Sequence, residues 1–243
     1  MIINKLSNKE LEKIDNLFYI NNQNQVVSDL FMEYLLNCKE LLKTYNKNLS
    51  FFDNIKKMLS IDNCFLKDFK EYDLENKFVE LDDCLYTNND YFKNIHLKDI
   101  KDGKYEFKEE SINSYEGFIY KPIEVDEKYH ELTYIGYFKN NYNYLTLQED
   151  NSIWMLISPH EINTMEEPIK KAFGNVITFG LGLGYFAYMV SNKENVKSVT
   201  IVEKDENIIS LFKKHILPQF KNKEKITIIN EDALKYIDSK NFN

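Results

Sequence analysis

Arginine is absent from this 243-residue sequence, so all 31 of its basic residues are lysines. The chain therefore has no planar guanidinium that could clamp a phosphate or a carboxylate through two parallel hydrogen bonds. Aspartate and glutamate together number 39, and the formal net charge is −8. A chain of this sign lacks the basic surface that attracts a nucleic-acid backbone, so a nucleic-acid substrate is disfavoured.

Cysteine is also scarce, with Cys38, Cys64 and Cys84 as the three examples. Their odd number, wide spacing and lack of a C-x-x-C pair predict neither a disulfide framework nor a zinc site. The amino terminus lacks the apolar stretch of a signal peptide, and no segment is apolar for long enough to span a membrane. These absences predict a cytoplasmic protein that binds no metal ion.

Glycine is rare as well, at seven residues, yet Gly180, Gly182 and Gly184 stand together in one turn. The turn directly follows the apolar run 176–179. Because glycine has no Cβ, such a turn can bend tightly and let a ligand approach the backbone. This concentration of glycines predicts a binding loop.

The sequence after the turn alternates helix and strand patterns. Residues 185–190 are apolar and suit a helix, and 199–202 form a β-branched strand that ends at Glu203. An acid about 20 residues beyond such glycines is placed to hold a ribose. A helix over 207–217 and a third strand over 226–229 follow. The pattern predicts a β-α-β-α-β unit.

These residues resemble the class I S-adenosylmethionine-dependent methyltransferases, and within them the polyamine-synthase-like members, over roughly residues 158–243. The resemblance implies an α/β fold that holds the first three strands of a Rossmann-like methyltransferase domain. It also implies S-adenosylmethionine as the cofactor. The implied cofactor-binding residues are Gly180, Gly182 and Gly184 under the methionine and ribose, Glu203 at the ribose hydroxyls, and Asp232 with Ala233 at the adenine.

Three departures from the family pattern shape the expected function. Thr178 stands where the superfamily usually has an acid, and Leu183 stands where aminopropyl transferases have an aspartate, so a polyamine substrate is disfavoured. The sequence also stops before a fourth strand. We therefore expect a methyltransferase for a small molecule or protein, of which this chain carries only part of the catalytic domain. The catalytic residues stay unknown, and another copy of the chain is expected to cover the open edge of the first strand.

Two other functions remain open at this point. The spacing from Gly182 to Ala187 also fits G-x-G-x-x-A, which is typical of a dinucleotide-dependent oxidoreductase. A non-catalytic interaction module on a methyltransferase-like scaffold is the other alternative. Asp232 can equally serve as the N-cap of a helix.

The hydrophobic periodicity changes along the chain and predicts three parts. These are a mainly helical region over 1–103, an antiparallel β element over 104–157 and the cofactor-binding part over 158–243. In the first part, Cys38 is expected on a buried helical face, and Leu11, Ile14 and Phe18 share helical spacing. In the second part, strands are expected at 132–138, 144–148 and 153–157, with Trp154 in the core.

Local signals also predict a helix that starts after Ser158, with Glu161 closing a capping box. The pair His160 and Glu161 resembles a substrate-proximal pair of polyamine synthases, although capping is the favoured explanation of Glu161. The other histidines, His96, His130 and His215, have no acid or cysteine neighbour at ligand spacing and are expected to be surface or core residues.

Overall fold

The computed structural model describes residues 6–239, which form two compact units. One unit runs up to Leu81 and includes Asn113–Asn141, and the other joins Asp82–Ile112 to the chain from residue 142 onwards. The residues of 105–112 pair with those of 142–149, whereas the segment between them belongs to the helical unit. The two units thus have other boundaries than the three parts 1–103, 104–157 and 158–243. That three-part division stays a prediction of domain organisation.

Helices and short strands mix along the whole chain. The α-helices are α1 (Asn8–Thr44), α2 (Phe51–Met58), α3 (Asn63–Asp68), α4 (Cys84–Thr87), α5 (Asp90–Asn94), α6 (Pro159–Lys171), α7 (Tyr185–Ser191), α8 (Glu206–Leu211) and α9 (Ala233–Ser239). The strands are β1 (Phe78–Glu80), β2 (Ile100–Asp102), β3 (Tyr105–Ile112), β4 (Phe118–Ile119), β5 (Glu124–Val125), β6 (Glu131–Leu132), β7 (Ile135–Tyr137), β8 (Tyr142–Glu149), β9 (Ser152–Ile157), β10 (Gly174–Phe179), β11 (Val196–Glu203) and β12 (Ile226–Asn230). At this level the predicted α/β class is confirmed.

In the first unit, α1 supplies one wall of the core. Its start is fixed by a reciprocal capping box, because the Ser7 hydroxyl accepts the Glu10 N–H at 3.4 Å and the Glu10 carboxylate accepts the Ser7 N–H at 2.7 Å. Cys38 lies on the buried face of this helix, as predicted. The side chains from Asn8 to Tyr19, including the expected face of Leu11, Ile14 and Phe18, are exposed instead.

The three consecutive strands expected between 132 and 157 do not share one sheet. β7 pairs parallel with β1 and antiparallel with β4 in the first unit. β8 and β9 form the expected hairpin in the second unit, where they extend the sheet β2-β3-β8-β9. The hairpin turn at Asp150 and Asn151 was correctly predicted, and both residues adopt positive φ. Strand partners of this kind are set by long-range packing, which periodicity in the sequence does not report.

The parallel sheet of the second unit has the strand order β10-β11-β12. Val176 pairs with Val199, and Val202 pairs with Ile229. α7 and α8 connect the strands in sequence, so the predicted β-α-β-α-β order is confirmed. A π-helical turn, Phe212–Ile216, follows α8 and replaces the second half of the predicted helix. The carboxyl ends of parallel strands meet at one edge of a sheet, which brings the glycine turn next to Glu203.

β10 forms the outer edge of this parallel sheet. Within residues 6–239 it pairs with β11 alone, and Ile177 and Phe179 are 38% and 44% exposed. An apolar edge without charged side chains has none of the usual protection against pairing with another strand. Among the described helices, none has the length together with the apolarity that crossing a bilayer requires.

Candidate ligand-binding site

A cavity of about 640 Å³ in the second unit is lined by the glycine turn. Its volume falls within the range of about 300–1,000 Å³ that is usual for small-molecule and cofactor sites. Residues 178–186 form one wall, 153–157 of β9 form another, and α6 contributes Glu161, Met165 and Pro168. The cavity therefore joins the predicted loop to two elements that precede it in the chain.

The three glycines of the turn have positive φ, at +85° for Gly180, +52° for Gly182 and +78° for Gly184. No atom lies within 4 Å of the place where a Cβ would stand on Gly180 or Gly182. At Gly184 a Cβ would lie 2.6 Å from the Phe212 ring. The first two glycines thus leave free space for a ligand, whereas the third lets α7 pack closely against the core.

Hydrogen bonds hold the turn in this shape. The Gly180 N–H donates to the Val202 carbonyl at 2.8 Å, and the Gly184 N–H donates to the Leu181 carbonyl at 3.0 Å. The N–H groups of Gly182 and Leu183 have no partner within the described chain, and both residues line the cavity. Two backbone donors are therefore available to a ligand.

Glu203, the predicted ribose ligand, is bonded directly to the turn. One carboxylate oxygen accepts the Leu181 N–H at 3.0 Å, and the other accepts the Asp205 N–H at 2.9 Å. The residue is 9% exposed. A carboxylate offers about four acceptor positions, so two remain beyond these bonds. Glu203 is thus both an anchor of the loop and an acceptor with free capacity.

Asp232 and Ala233 stand at the end of β12, next to the end of β11. One Asp232 carboxylate oxygen accepts the N–H groups of Leu234 at 3.0 Å and Lys235 at 3.3 Å, which caps α9. Ala233 is the first residue of that helix. The cavity lining includes neither of these two residues nor Glu203. A ligand that touches all the predicted residues must extend from the cavity across the turn.

Two departures from the family pattern also face the cavity. Thr178 and Leu183 both line it, and Leu183 is buried. An apolar, buried side chain offers no acceptor for an ammonium group at this position.

Trp154 contributes to the cavity in a way that the sequence did not indicate, whereas Glu161 belongs to the pair that the resemblance placed near a substrate. Trp154 was predicted to be core, but it is 52% exposed and lines the cavity. The Ser158 hydroxyl accepts the Glu161 N–H at 3.4 Å and starts α6, as predicted. The reciprocal bond from the Glu161 carboxylate is missing among the bonds of the described residues, so this carboxylate can turn to the cavity. His160 does not line the cavity.

The electrostatic character of the cavity is simple. Among its described lining residues, Glu161 is the one with a charged side chain, and none is a lysine. The remaining lining is apolar side chains, glycine, Thr178 and the aromatic Trp154 and Tyr185, which carry an indole N–H and a hydroxyl. The cavity thus combines one acidic side chain with the two free backbone N–H donors of Gly182 and Leu183.

Two histidines have acid partners in the structure. The partner of His215 is 113 positions away, and the partner of His130 is four residues earlier. His215 and Lys214 each approach the Asp102 carboxylate at 2.8 Å, and they lower the pKa of Asp102, with Lys214 contributing most. His130 bonds to Asp126 at 2.8 Å within a turn of the first unit. Neither pair lines the cavity, so both stabilise local structure.

Asp82, Asp83 and Cys84 place three possible metal-ligating atoms within 4.8 Å of one another. Hydrogen bonding to Asp82 and the charge of both acids raise the pKa of the Cys84 thiol. Exposed acidic groups of this kind are common on protein surfaces without an ion, so we assign no metal to this cluster.

Comparisons with known proteins give limited information. No protein-family model matches this chain, and no curated protein matches it in sequence. Solved structures that match include spermidine synthase from Thermotoga maritima, with 15% sequence identity and a TM-score of 0.31. The shared region covers 39% of this chain and 36% of that one, so this chain spans little more than a third of that structure. The function has to be inferred from the residues of this chain.

Proposed function

We propose that the second unit binds S-adenosylmethionine and serves a methyltransferase that acts on a small molecule or a protein. The observation that carries the proposal is the open space next to the Cα atoms of Gly180 and Gly182, which line a cavity of cofactor size. Glu203 holds Leu181, the residue between these glycines, by its backbone N–H. Room for a ligand and an acidic acceptor thus occur at the same point of the sheet edge.

The residues that would hold the cofactor follow from this arrangement. Gly180, Gly182 and Gly184 would lie under the methionine and ribose, and the free acceptor positions of Glu203 would bind the ribose hydroxyls. Asp232 and Ala233, at the neighbouring strand end, would face the adenine. The three-stranded parallel sheet would then be the first part of a Rossmann-like methyltransferase domain.

The charge of the cavity suits a sulfonium cofactor. S-adenosylmethionine carries a positive sulfur, and Glu161 is the charged side chain of the described lining. A dinucleotide carries a pyrophosphate with two negative charges, which backbone N–H groups at the start of a helix can bind without a cation. The free N–H groups of Gly182 and Leu183 lie just before α7, so the oxidoreductase alternative stays open and NADH binding tests it.

When bound, the cofactor would supply a methyl carbon on a positive sulfur; a lone pair of the acceptor would bond to that carbon in line as the C–S bond breaks, and the bond's electron pair would stay on sulfur to leave S-adenosylhomocysteine. The residues of this chain would contribute mainly by alignment, which can supply a large part of the rate acceleration in such transfers. The apolar walls from β9 and α6 would exclude water from the reacting centre. We assign no catalytic residue to this chain.

A non-catalytic interaction module is the second candidate. Both oxygens of Glu203, and one of Asp232, already bond to backbone N–H groups, so these acids have structural roles without any ligand. The uncharged open edge of β10 suits pairing with another strand. In that case the parallel sheet is a scaffold.

Titration calorimetry separates these functions. We expect the wild-type protein to bind S-adenosylhomocysteine and not NADH. Glu203→Ala should weaken the binding at least about tenfold, since it removes hydrogen bonds to a charged group. Glu206→Ala, which removes an exposed acid three residues away, is the matched control and should bind normally. Absence of binding by the wild type would favour the interaction module, and binding of NADH would favour the oxidoreductase.

A further inference from the structure

Tyr91 approaches the glycine turn from a part of the chain that the family resemblance does not cover. It lies on α5, its side chain is completely buried, and its hydroxyl donates to the Leu183 carbonyl at 2.5 Å. The ring also packs edge-on against Tyr185 and Tyr188 of α7. Tyr91 therefore connects α5 to both the turn and the helix that follows it.

The hydrogen bond from the Tyr91 hydroxyl to the Leu183 carbonyl is protected from water and keeps its donor proton. Water cannot compete for either partner, because both Tyr91 and Leu183 are buried. Burial also raises the pKa of Tyr91, so its hydroxyl keeps the proton that it donates. A buried carbonyl that lost this donor would be left without a partner, which is costly in the protein interior.

Two anchors fix the turn on opposite sides of Gly182. Glu203 holds the Leu181 N–H, and Tyr91 holds the carbonyl of Leu183. The peptide between Leu183 and Gly184 is held at both ends, because its N–H donates to the Leu181 carbonyl. The N–H groups of Gly182 and Leu183, which have no partner in the described chain, lie between the two anchors.

We infer that Tyr91 is a positioning residue of the ligand site, which holds the glycine turn in its binding-competent shape before a ligand arrives. Glycines with positive φ can adopt many other conformations, so a turn without the hydrogen bond from Tyr91 would spend part of its time in shapes that do not bind. The apparent affinity falls in proportion to that lost fraction. The inference rests on the proposed function, since it assumes that the ligand binds at this turn.

Tyr91→Phe tests this role, and Tyr188→Phe is its matched control. Tyr188 is also completely buried and also packs on Tyr91, but its hydroxyl has no hydrogen-bond partner within the described chain. We expect Tyr91→Phe to weaken the binding of S-adenosylhomocysteine about tenfold, the effect of one lost hydrogen bond. Amide hydrogen exchange at Leu181 and Gly184, whose N–H groups are hydrogen-bonded in the turn, should become faster in the same variant. Tyr188→Phe should change neither quantity.

The two measurements distinguish the possible failures. If the wild type does not bind S-adenosylhomocysteine, the proposed function fails, and hydrogen exchange still decides whether Tyr91 clamps the turn. If the wild type binds but Tyr91→Phe matches it in affinity and exchange, the positioning role is wrong. Equal effects of both variants would indicate general loosening of the core and would also overturn the role.

A measurement on the unmodified protein covers the case in which Tyr91→Phe does not fold. The Tyr91 hydroxyl proton should be visible by NMR as a slowly exchanging signal before any ligand is added, and it should stay so when S-adenosylhomocysteine is bound. A rapidly exchanging hydroxyl in the free protein would contradict the inference.

Discussion

Gly184→Ala should destabilise the protein more than Gly182→Ala, although the two residues share one turn. Both have positive φ, so a side chain at either position costs about 1–2 kcal/mol in backbone strain. At Gly182 this is the main cost, since nothing lies within 4 Å of the new Cβ. At Gly184 the Cβ would stand 2.6 Å from the Phe212 ring and 3.3 Å from Ile216.

The crowding at Gly184 cannot be relieved by a small movement. Phe212, Ile216 and Phe220, which surround the site, are all buried in the core. Overpacking of a core typically costs about 1–3 kcal/mol, so the total for Gly184→Ala is about 2–5 kcal/mol. A chain of this length loses about 2–4 °C of melting temperature per kcal/mol, so Gly184→Ala should melt roughly 2–12 °C below Gly182→Ala.

The affinity for S-adenosylhomocysteine should fall in Gly182→Ala and stay unchanged in Gly103→Ala. Gly182→Ala places a methyl group in the space proposed for the cofactor, so it should lose affinity for S-adenosylhomocysteine while it stays folded. Gly103→Ala is the control, because Gly103 also has positive φ and open surroundings but lies in the β2–β3 turn, outside the cavity. It should match Gly182→Ala in stability and the wild type in affinity.

Thermal and denaturant unfolding of the three variants, followed by calorimetry, provide the test. The effect of alanine on the unfolded chain is common to all three and cancels in the comparison. Equal losses of stability for Gly182→Ala and Gly184→Ala would refute the reasoning about Phe212. Normal affinity in Gly182→Ala would refute a ligand that lies against the turn.

Three further predictions concern other parts of the second unit. Asp232→Asn keeps the cap of α9 and should melt like the wild type, whereas Asp232→Ala should lose about 1 kcal/mol; equal melting of both would exclude the cap. Lys214 and His215 lower the pKa of Asp102, so its stabilising effect is present above about pH 4 and is lost as the pH falls further. Melting of Asp102→Asn should thus depend less on pH in this acid range, and an unchanged profile would argue against the pair. If a second copy covers the edge of β10, Ile177→Lys should convert dimers to monomers in sedimentation, and a monomeric wild type would contradict the expected pairing.

Local signals made the parallel sheet and its turn predictable from the sequence. The runs 176–179, 199–202 and 226–229 are apolar and largely β-branched, and each lies within an observed strand. The three glycines predicted a tight turn, and all three adopt positive φ in it. Such features depend on a few neighbouring residues, so the sequence reports them directly.

Contacts between distant residues were not predictable in this way. Tyr91 bonds to Leu183, which is 92 positions later in the chain, and nothing near Tyr91 indicates this partner. β7 was assigned to the wrong sheet because an alternating strand fits any sheet with one buried face. Trp154 was placed in the core because its apolar neighbours gave no sign that β9 lines a cavity.

The bonds of Glu203 bear on the choice between a cofactor site and a scaffold. Its two contacts with backbone N–H groups occupy two of about four acceptor positions on the carboxylate. A ribose could therefore bind without breaking the bond that holds Leu181, so the structural role does not compete with a binding role. A scaffold alone would require only the bond between Glu203 and the Leu181 N–H. It would not require open space next to the Cα atoms of Gly180 and Gly182. The combination of the anchor with this space is why a ligand explains the turn better than packing does.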